Sequence, residues 1–191
     1  MRLRPTILEN DFVRLEPMQE SHRDMLRPAA DDPDIWRFMT LAGFGPHFDN
    51  WFETMLDAQQ RDQISHVVFR KSAGSVVGHT AYLAIAPHQQ RVEIGWTFYA
   101  AEARRSEVNP ACKLALFDNA FAAGAERVEL KTGGENLRSQ GAMTKMGARR
   151  EGVLRSQVNT WRGERRDTVY FSVLRPEWPE VREGLLKRLA C

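Results

Sequence analysis

Cysteine is scarce in this chain, with two residues in 191, Cys112 and Cys191. Two thiols so placed make neither a metal-ligand spacing nor a disulfide framework. Cys112 falls within a helical apolar pattern and is expected to be a small buried side chain. Cys191 is expected to fray, and no disulfide is expected. Long apolar runs are also missing: Val67–Phe69 and Leu114–Phe117 are typical, against the ~20 residues that a membrane span requires. Met1-Arg2-Leu3-Arg4-Pro5 starts basic, but no apolar stretch follows, so a secretory leader and a membrane partner are not expected and the chain is read as cytoplasmic. No basic run interleaved with aromatics appears, nor any groove-reading motif, which argues against a nucleic-acid partner. Internal repeats, low-complexity tracts and linkers are absent too. Residues 1–191 are therefore expected to form a single domain around one sizeable core.

What is present is ordinary in amount and uneven in distribution. Hydrophobic residues make up 42% and charged residues 27%, as in a soluble globular protein. Residues 101–191 carry 17 Lys+Arg against 12 Asp+Glu, whereas residues 1–100 carry 10 against 13. A basic C-terminal half suits an anionic cofactor or partner, and equally a solvated surface.

Periodicity and turn chemistry divide the chain into alternating segments. Phe12–Glu16 alternates apolar and polar residues and reads as a strand. Gln19–Ala30 reads as a helix, broken at Asp31-Asp32-Pro33, with a short helix at Asp34–Met39. Asp49 is expected to cap a longer helix running to about Gln60. Three strands follow, Ser65–Arg70, Val76–Ala84 and Arg91–Tyr99. Asn109-Pro110 is expected to open a helix to about Ala123, with Asn as cap and Pro in the first turn. Arg127–Thr132 reads as a strand, Asn136–Met146 as a helix stopped by Gly147, then Arg149–Gln157 and Thr168–Leu174 as strands and Trp178–Leu189 as a helix. The β-α-β-α-β portion in the middle implies a parallel pairing with a helical crossover. The fold class is α+β, a mixed sheet with helices.

The informative region is Glu93–Asn119, a strand, a tight basic loop and a helix start. A helix N-terminus offers unpaired N–H groups and a positive dipole end, which suits phosphate, and Arg104 and Arg105 add charge at its mouth. An ordinary connection with two solvated arginines fits the same residues.

Several collinear stretches resemble the GCN5-related N-acetyltransferases, specifically the branch acetylating protein N-terminal residues. They are Phe12–Pro17, Arg91–Thr97, Val108–Lys113, Asn136–Gln140, Gly147–Gly152 and Glu177-Trp178-Pro179. The resemblance implies a mostly antiparallel twisted sheet with a splayed parallel pair, flanked by helices. It implies acetyl-CoA as co-substrate, no metal, and direct transfer to a primary amine, either a protein or peptide N-terminus or a small amine, by a monomer or homodimer. Trp96, Thr97 and Phe98 on the splayed strand would meet the pantetheine arm. Arg104, Arg105, Ser106, Val108 and Asn109, with Lys113 further along the helix, would serve the pyrophosphate end. Asn136 and Ser139, one helical turn apart, would face the cofactor, with Ser139 as proton donor to the leaving thiolate. Glu93 is the first candidate for the base that frees the amine; His79, Asp167 and Glu151 are lesser ones, and water is an alternative.

Two residues depart from the family pattern. Glu107 stands in the phosphate loop where glycine is usual, and Met143 where many relatives carry a tyrosine acid. Both motivate a rival reading, a degenerate acyl-CoA-binding protein without turnover. The aromatic and Met residues Trp36, Phe38, Met39, Phe44, Phe48 and Trp51 read first as core, and the loop Thr40–Phe48 alternatively as a wall of the acceptor pocket.

Overall fold

A computed structural model describes residues 1–190; Cys191 lies outside the described residues. Eight strands and six α-helices follow in chain order: β1 Leu8–Glu9, β2 Val13–Pro17, α1 Arg23–Ala30, α2 Pro33–Trp36, α3 Phe48–Ala58, β3 Ile64–Arg70, β4 Ser75–Ala86, β5 Arg91–Tyr99, α4 Val108–Ala122, β6 Arg127–Gly133, α5 Leu137–Met146, β7 Arg149–Asn159, β8 Arg165–Leu174 and α6 Trp178–Leu189. They make one sheet in the order β1-β2-β3-β4-β5-β6-β8-β7. Every neighbouring pair is antiparallel except β5 and β6, which α4 connects as a crossover.

Each face of the sheet has its own apolar layer. Val92, Ile94, Val128, Leu130, Phe171 and Val173 pack with Leu116 and Phe117 of α4. α6 closes that layer from outside, with Trp178 stacked on Phe117 at 5.1 Å between ring centroids. α4 is apolar nearly all round because it is sandwiched between the sheet and α6. On the opposite face α1, α2 and α3 bring Leu26, Trp36, Phe48, Trp51 and Phe52 against Val67 and Phe98. Cys112 is fully buried within the first layer.

Most boundaries fall within two residues of those read from the sequence, and the exceptions have local causes. β1 is a two-residue strand with no periodicity to detect. The helix expected from Gln19 begins as a 3-10 turn at Glu20–His22 before α1. α2 is a single turn, Pro33–Trp36, with Asp32 capping it by accepting from the Asp34 N–H at 3.0 Å. Asp49 does not cap α3, which begins a residue earlier; its carboxylate instead takes the guanidinium groups of Arg23 and Arg27. Asn109 does not cap α4 either. The Ser106 hydroxyl accepts from the Val108 N–H at 3.2 Å and places Asn109 inside the first turn. Gly147 does end α5, at φ 98°, a conformation that disfavours any side chain with a Cβ. β8 inserts between β6 and β7, so β7 becomes the sheet edge rather than a neighbour of β6.

Candidate active site

β5 and β6 pair only from Arg91 to Glu93 against Arg127 to Glu129, and beyond Glu93 they diverge. From Ile94 to Tyr99, β5 has no strand on its β6 side, so alternate backbone N–H and C=O groups there face open space. The gap is the floor of a cleft of about 1210 Å³, closed at one end by the loop Arg104–Ser106 and the start of α4.

β5 is bulged where it leaves β6. His79 and Ala81 of β4 stand opposite Phe98 and Gly95, so β5 carries one residue more than its partner over this span. Trp96 takes up the irregularity at φ 49°, an uncommon conformation for a bulky residue. Other elements hold the bulge in place. His79 Nδ1 donates to the Trp96 carbonyl at 2.9 Å, while its Nε2 is buried and without a partner among the described residues. Burial among Trp51 and Phe98 pushes its pKa down to about 4. Thr80 and Lys113 both meet the Thr97 hydroxyl, at 2.8 and 3.2 Å. Gly95 leaves no room for a side chain, because a Cβ there would lie 2.6 Å from Leu83 and 3.3 Å from the Glu93 carboxylate.

The phosphate-type loop does without glycine. Arg105 itself adopts the left-handed conformation at φ 60°, at a cost of order 1 kcal/mol. Its side chain is exposed at the mouth of the cleft. Arg104 is committed elsewhere: it donates to the Tyr99 carbonyl at 2.9 Å and to Asp32 at 2.6 Å. The Arg104 guanidinium in turn holds the Asp32 carboxyl below its ordinary range. Val108 is wholly buried in the core and its N–H serves Ser106. Phe98 is buried too, and only its backbone can serve the cleft. Asn109 and Lys113 line the cleft.

Glu107 turns away from the cleft. Its carboxylate accepts a two-pronged pair from Arg70 at the end of β3, at 2.9 and 3.1 Å. Burial opposes its ionisation, but its own backbone N–H and the Arg70 guanidinium outweigh burial and hold its pKa low. Removing Arg70 would free that charge near the α4 N-terminus. Arg70→Ala is therefore expected to weaken binding of the coenzyme A that the sequence resemblance implies about threefold to tenfold, and Arg70→Ala/Glu107→Ala to restore it, as read by calorimetry. Equal affinity in all three proteins would show that Glu107 exerts no field on the site.

The second crossover helix contributes Asn136 and Ser139. Asn136 caps α5, its side-chain oxygen accepting from the Ser139 N–H at 3.1 Å. The Ser139 hydroxyl faces the cleft with no hydrogen bond among the described residues, and Met143 lies one turn further on.

On the other side of the splay, Glu93 is nearly buried and paired with Lys131 at 2.6 Å. Burial pushes the Glu93 carboxyl up and Lys131 pulls against it. Of the lesser base candidates, Asp167 accepts from the Ser156 N–H at 2.7 Å and supports a bulge in β7. Glu151 pairs with Arg127 at 2.7 Å outside the cleft. The wall expected at Thr40–Phe48 sits one segment earlier, at Ile35 and Phe38–Thr40. Trp36, Phe48 and Trp51 are core residues, and Phe44 packs on Trp161. Lys131, Gln157, Arg166 and Tyr170 complete this side and were not foreseen. Alternation along β8 puts Arg166, Thr168 and Tyr170 on one face, but nothing in the sequence says that the face borders a cleft.

Among the described residues no cluster suited to a metal ion is found, and no helix is long and apolar enough to cross a membrane. The model of the GNAT acetyltransferase domain matches residues 13–149. No curated protein matches the chain. Among solved structures, a GCN5-related N-acetyltransferase from Brucella melitensis is 26% identical, with a TM-score of 0.91 over 99% of this chain and 87% of its own. A protein from T. thermophilus assigned to the acetyltransferases is 31% identical, with a TM-score of 0.88 over 99% of this chain and 100% of its own. Mycobacterium smegmatis RimJ, solved in complex with CoA-disulfide, shares the fold at 17% identity, with a TM-score of 0.81 over 96% of this chain and 95% of its own. This chain belongs to the GNAT acetyltransferase family.

Proposed function

We propose that the protein is a single-domain N-acetyltransferase that moves acetyl from acetyl-CoA directly to a primary amine. The observation that carries this reading is the conjunction, in one cleft, of a splayed strand pair, a bulged β5 and the α4 N-terminus. The residues fit an extended acyl-CoA. β5 from Ile94 to Tyr99 offers unpaired backbone groups to an amide-bearing arm, and the Arg105–Ser106 turn with the first turn of α4 suits a pyrophosphate. Acetyl-CoA supplies the activated acyl group as a thioester. The chain's own groups would position it, accept the amine's proton near Glu93, and return a proton to the departing thiolate from Ser139.

A covalent acyl-enzyme is disfavoured because Cys112 is fully buried and burial pushes its thiol up to about 12. The non-catalytic alternative loses one of its two motives, because Glu107 is held away by Arg70. The acceptor is a protein or peptide N-terminus, as the sequence resemblance implies, or a small amine. Coenzyme A should raise the melting temperature, and acetyl-CoA with a panel of primary amines should release free thiol. Ser139→Ala should lower kcat by about tenfold or more with coenzyme A affinity retained. Tight coenzyme A binding with no turnover on any amine would favour the non-catalytic reading, and neither binding nor turnover would end both.

A further inference from the structure

Arg166 differs from the basic residues that β5 and β6 carry on the same face of the sheet. Its neighbours there are paired: Arg127 with Glu129 and Glu151, Arg91 with Glu129, and Lys131 with Glu93. Arg166 has no carboxylate within ion-pair distance among the described residues. One guanidinium nitrogen, Nη1, donates to the Phe38 carbonyl, and Nη2 donates to the Thr168 hydroxyl at 3.3 Å. Nε is buried with no partner among the described residues. Asp167, the adjacent residue, is spent on the Ser156 N–H. The carboxylate field felt by Arg166 comes from Glu93, which is already paired with Lys131.

A half-buried guanidinium with an idle donor and no counter-charge is expensive to keep, because its desolvation is not repaid by a partner. It lines the acceptor side of the cleft, between the apolar walls of Ile35, Phe38, Met39, Leu83 and Val158. The planar fork of arginine matches a carboxylate or phosphate better than any other side chain does. We infer that the acceptor is a primary amine bearing an anionic group, which Arg166 binds while the amine reaches the splay beside Glu93. This rests on the acyl-transfer reading above and names its substrate class. The anion is part of a small amino acid-like acceptor, or the acidic side chain of a peptide whose N-terminus is acetylated.

Matched acceptors separate these cases. The ω-amino acids β-alanine, 4-aminobutanoate and 5-aminopentanoate span a range of amine-to-anion distances, and their carboxamides serve as neutral controls. Ala-Glu and Ala-Gln peptide N-termini with amidated C-termini test the peptide source. Wild type should favour at least one acid over its amide by about 100-fold in kcat/KM. Arg166→Gln should abolish that preference while changing turnover of the amides less than about threefold. Arg166→Lys, which keeps charge without the fork, should recover part of it. Binding of the same pairs to the protein saturated with coenzyme A, followed by calorimetry, gives a readout independent of turnover. Equal binding of acids and amides by wild type would overturn the inference, as would an equal loss for both in Arg166→Gln. Preferential binding of the acids without turnover would uphold the anion site and count against acyl transfer itself.

Discussion

Lys113→Met is expected to make the protein more stable and a poorer enzyme. Lys113 is 7% exposed, and its ammonium meets only the Thr97 hydroxyl, with no carboxylate in ion-pair range among the described residues. Burial pushes its pKa from an ordinary 10.5 down to about 8, so at neutral pH the folded chain still carries a charge that it holds at a cost of about 3 kcal/mol. Methionine fills similar volume without the charge. Allowing for the lost hydrogen bond, a gain of about 2 kcal/mol is expected, or roughly 4–8 °C in Tm for a domain of this size. The direction with pH follows from the lowered pKa. Between about 8 and 10.5 the unfolded chain binds a proton that the native lysine does not, so the wild-type deficit is full below pH 8 and closes as pH rises toward 10.5. The stability gap between variant and wild type should therefore shrink in that window. Activity should move the other way. Lys113 helps hold Thr97 in the bulge of β5, and kcat/KM should fall by about tenfold or more. A lower Tm in the variant would mean that the Thr97 contact outweighs the desolvation, and unaltered turnover would remove Lys113 from the site.

Acid should unfold the protein through two histidines, His66 and His79. Both are buried within the sheet layers, and desolvation pushes each from an ordinary 6.5 down to about 4. His79 has no acceptor for a second proton at Nε2 among the described residues. Because the folded pKa is depressed, stability is fully present above pH 6.5 and is lost as pH falls toward 4. The unfolded chain takes up protons there that the native chain refuses. Each histidine contributes about 3 kcal/mol to that loss, and the sum is comparable with the whole stability of a typical domain. Urea unfolding at pH 7 and at pH 4.5 should differ by several kcal/mol. His66→Gln and His79→Gln should each flatten the dependence, whatever their effect on absolute stability. A slope unchanged in both variants would show that other groups drive acid unfolding.

How much of this was legible beforehand differs by element. β5 and α6 were located to the residue, because their periodicity and bounding turn residues are local. The two helix caps read from single residues, Asp49 and Asn109, were misplaced for a common reason: a competing partner was nearby. Asp49 found two arginines, and the Ser106 hydroxyl takes the Val108 N–H, so that α4 starts before Asn109. The side of the cleft formed by β5, the Arg104–Ser106 loop and α4 was readable because strand, basic loop and helix are consecutive. The opposite side was not, because Ile35, Glu93, Lys131 and Arg166 come from four separate stretches.

The sequence by itself determined the elements, their order and the parallel crossover, since patterning, turns and caps act among residues close along the chain. The tertiary structure decided which charges are spent and which are free. Arg70 reaches Glu107 across 37 positions, Arg104 reaches Asp32 across 72, and Arg166 reaches the Phe38 carbonyl across 128. A side chain's partner depends on what the fold brings within about 3 Å, and no local pattern encodes that distance. Glu107 is therefore paired with Arg70 in the folded protein although it stands at the start of α4, and Arg166 is left on the wall of the cleft without a carboxylate partner among the described residues.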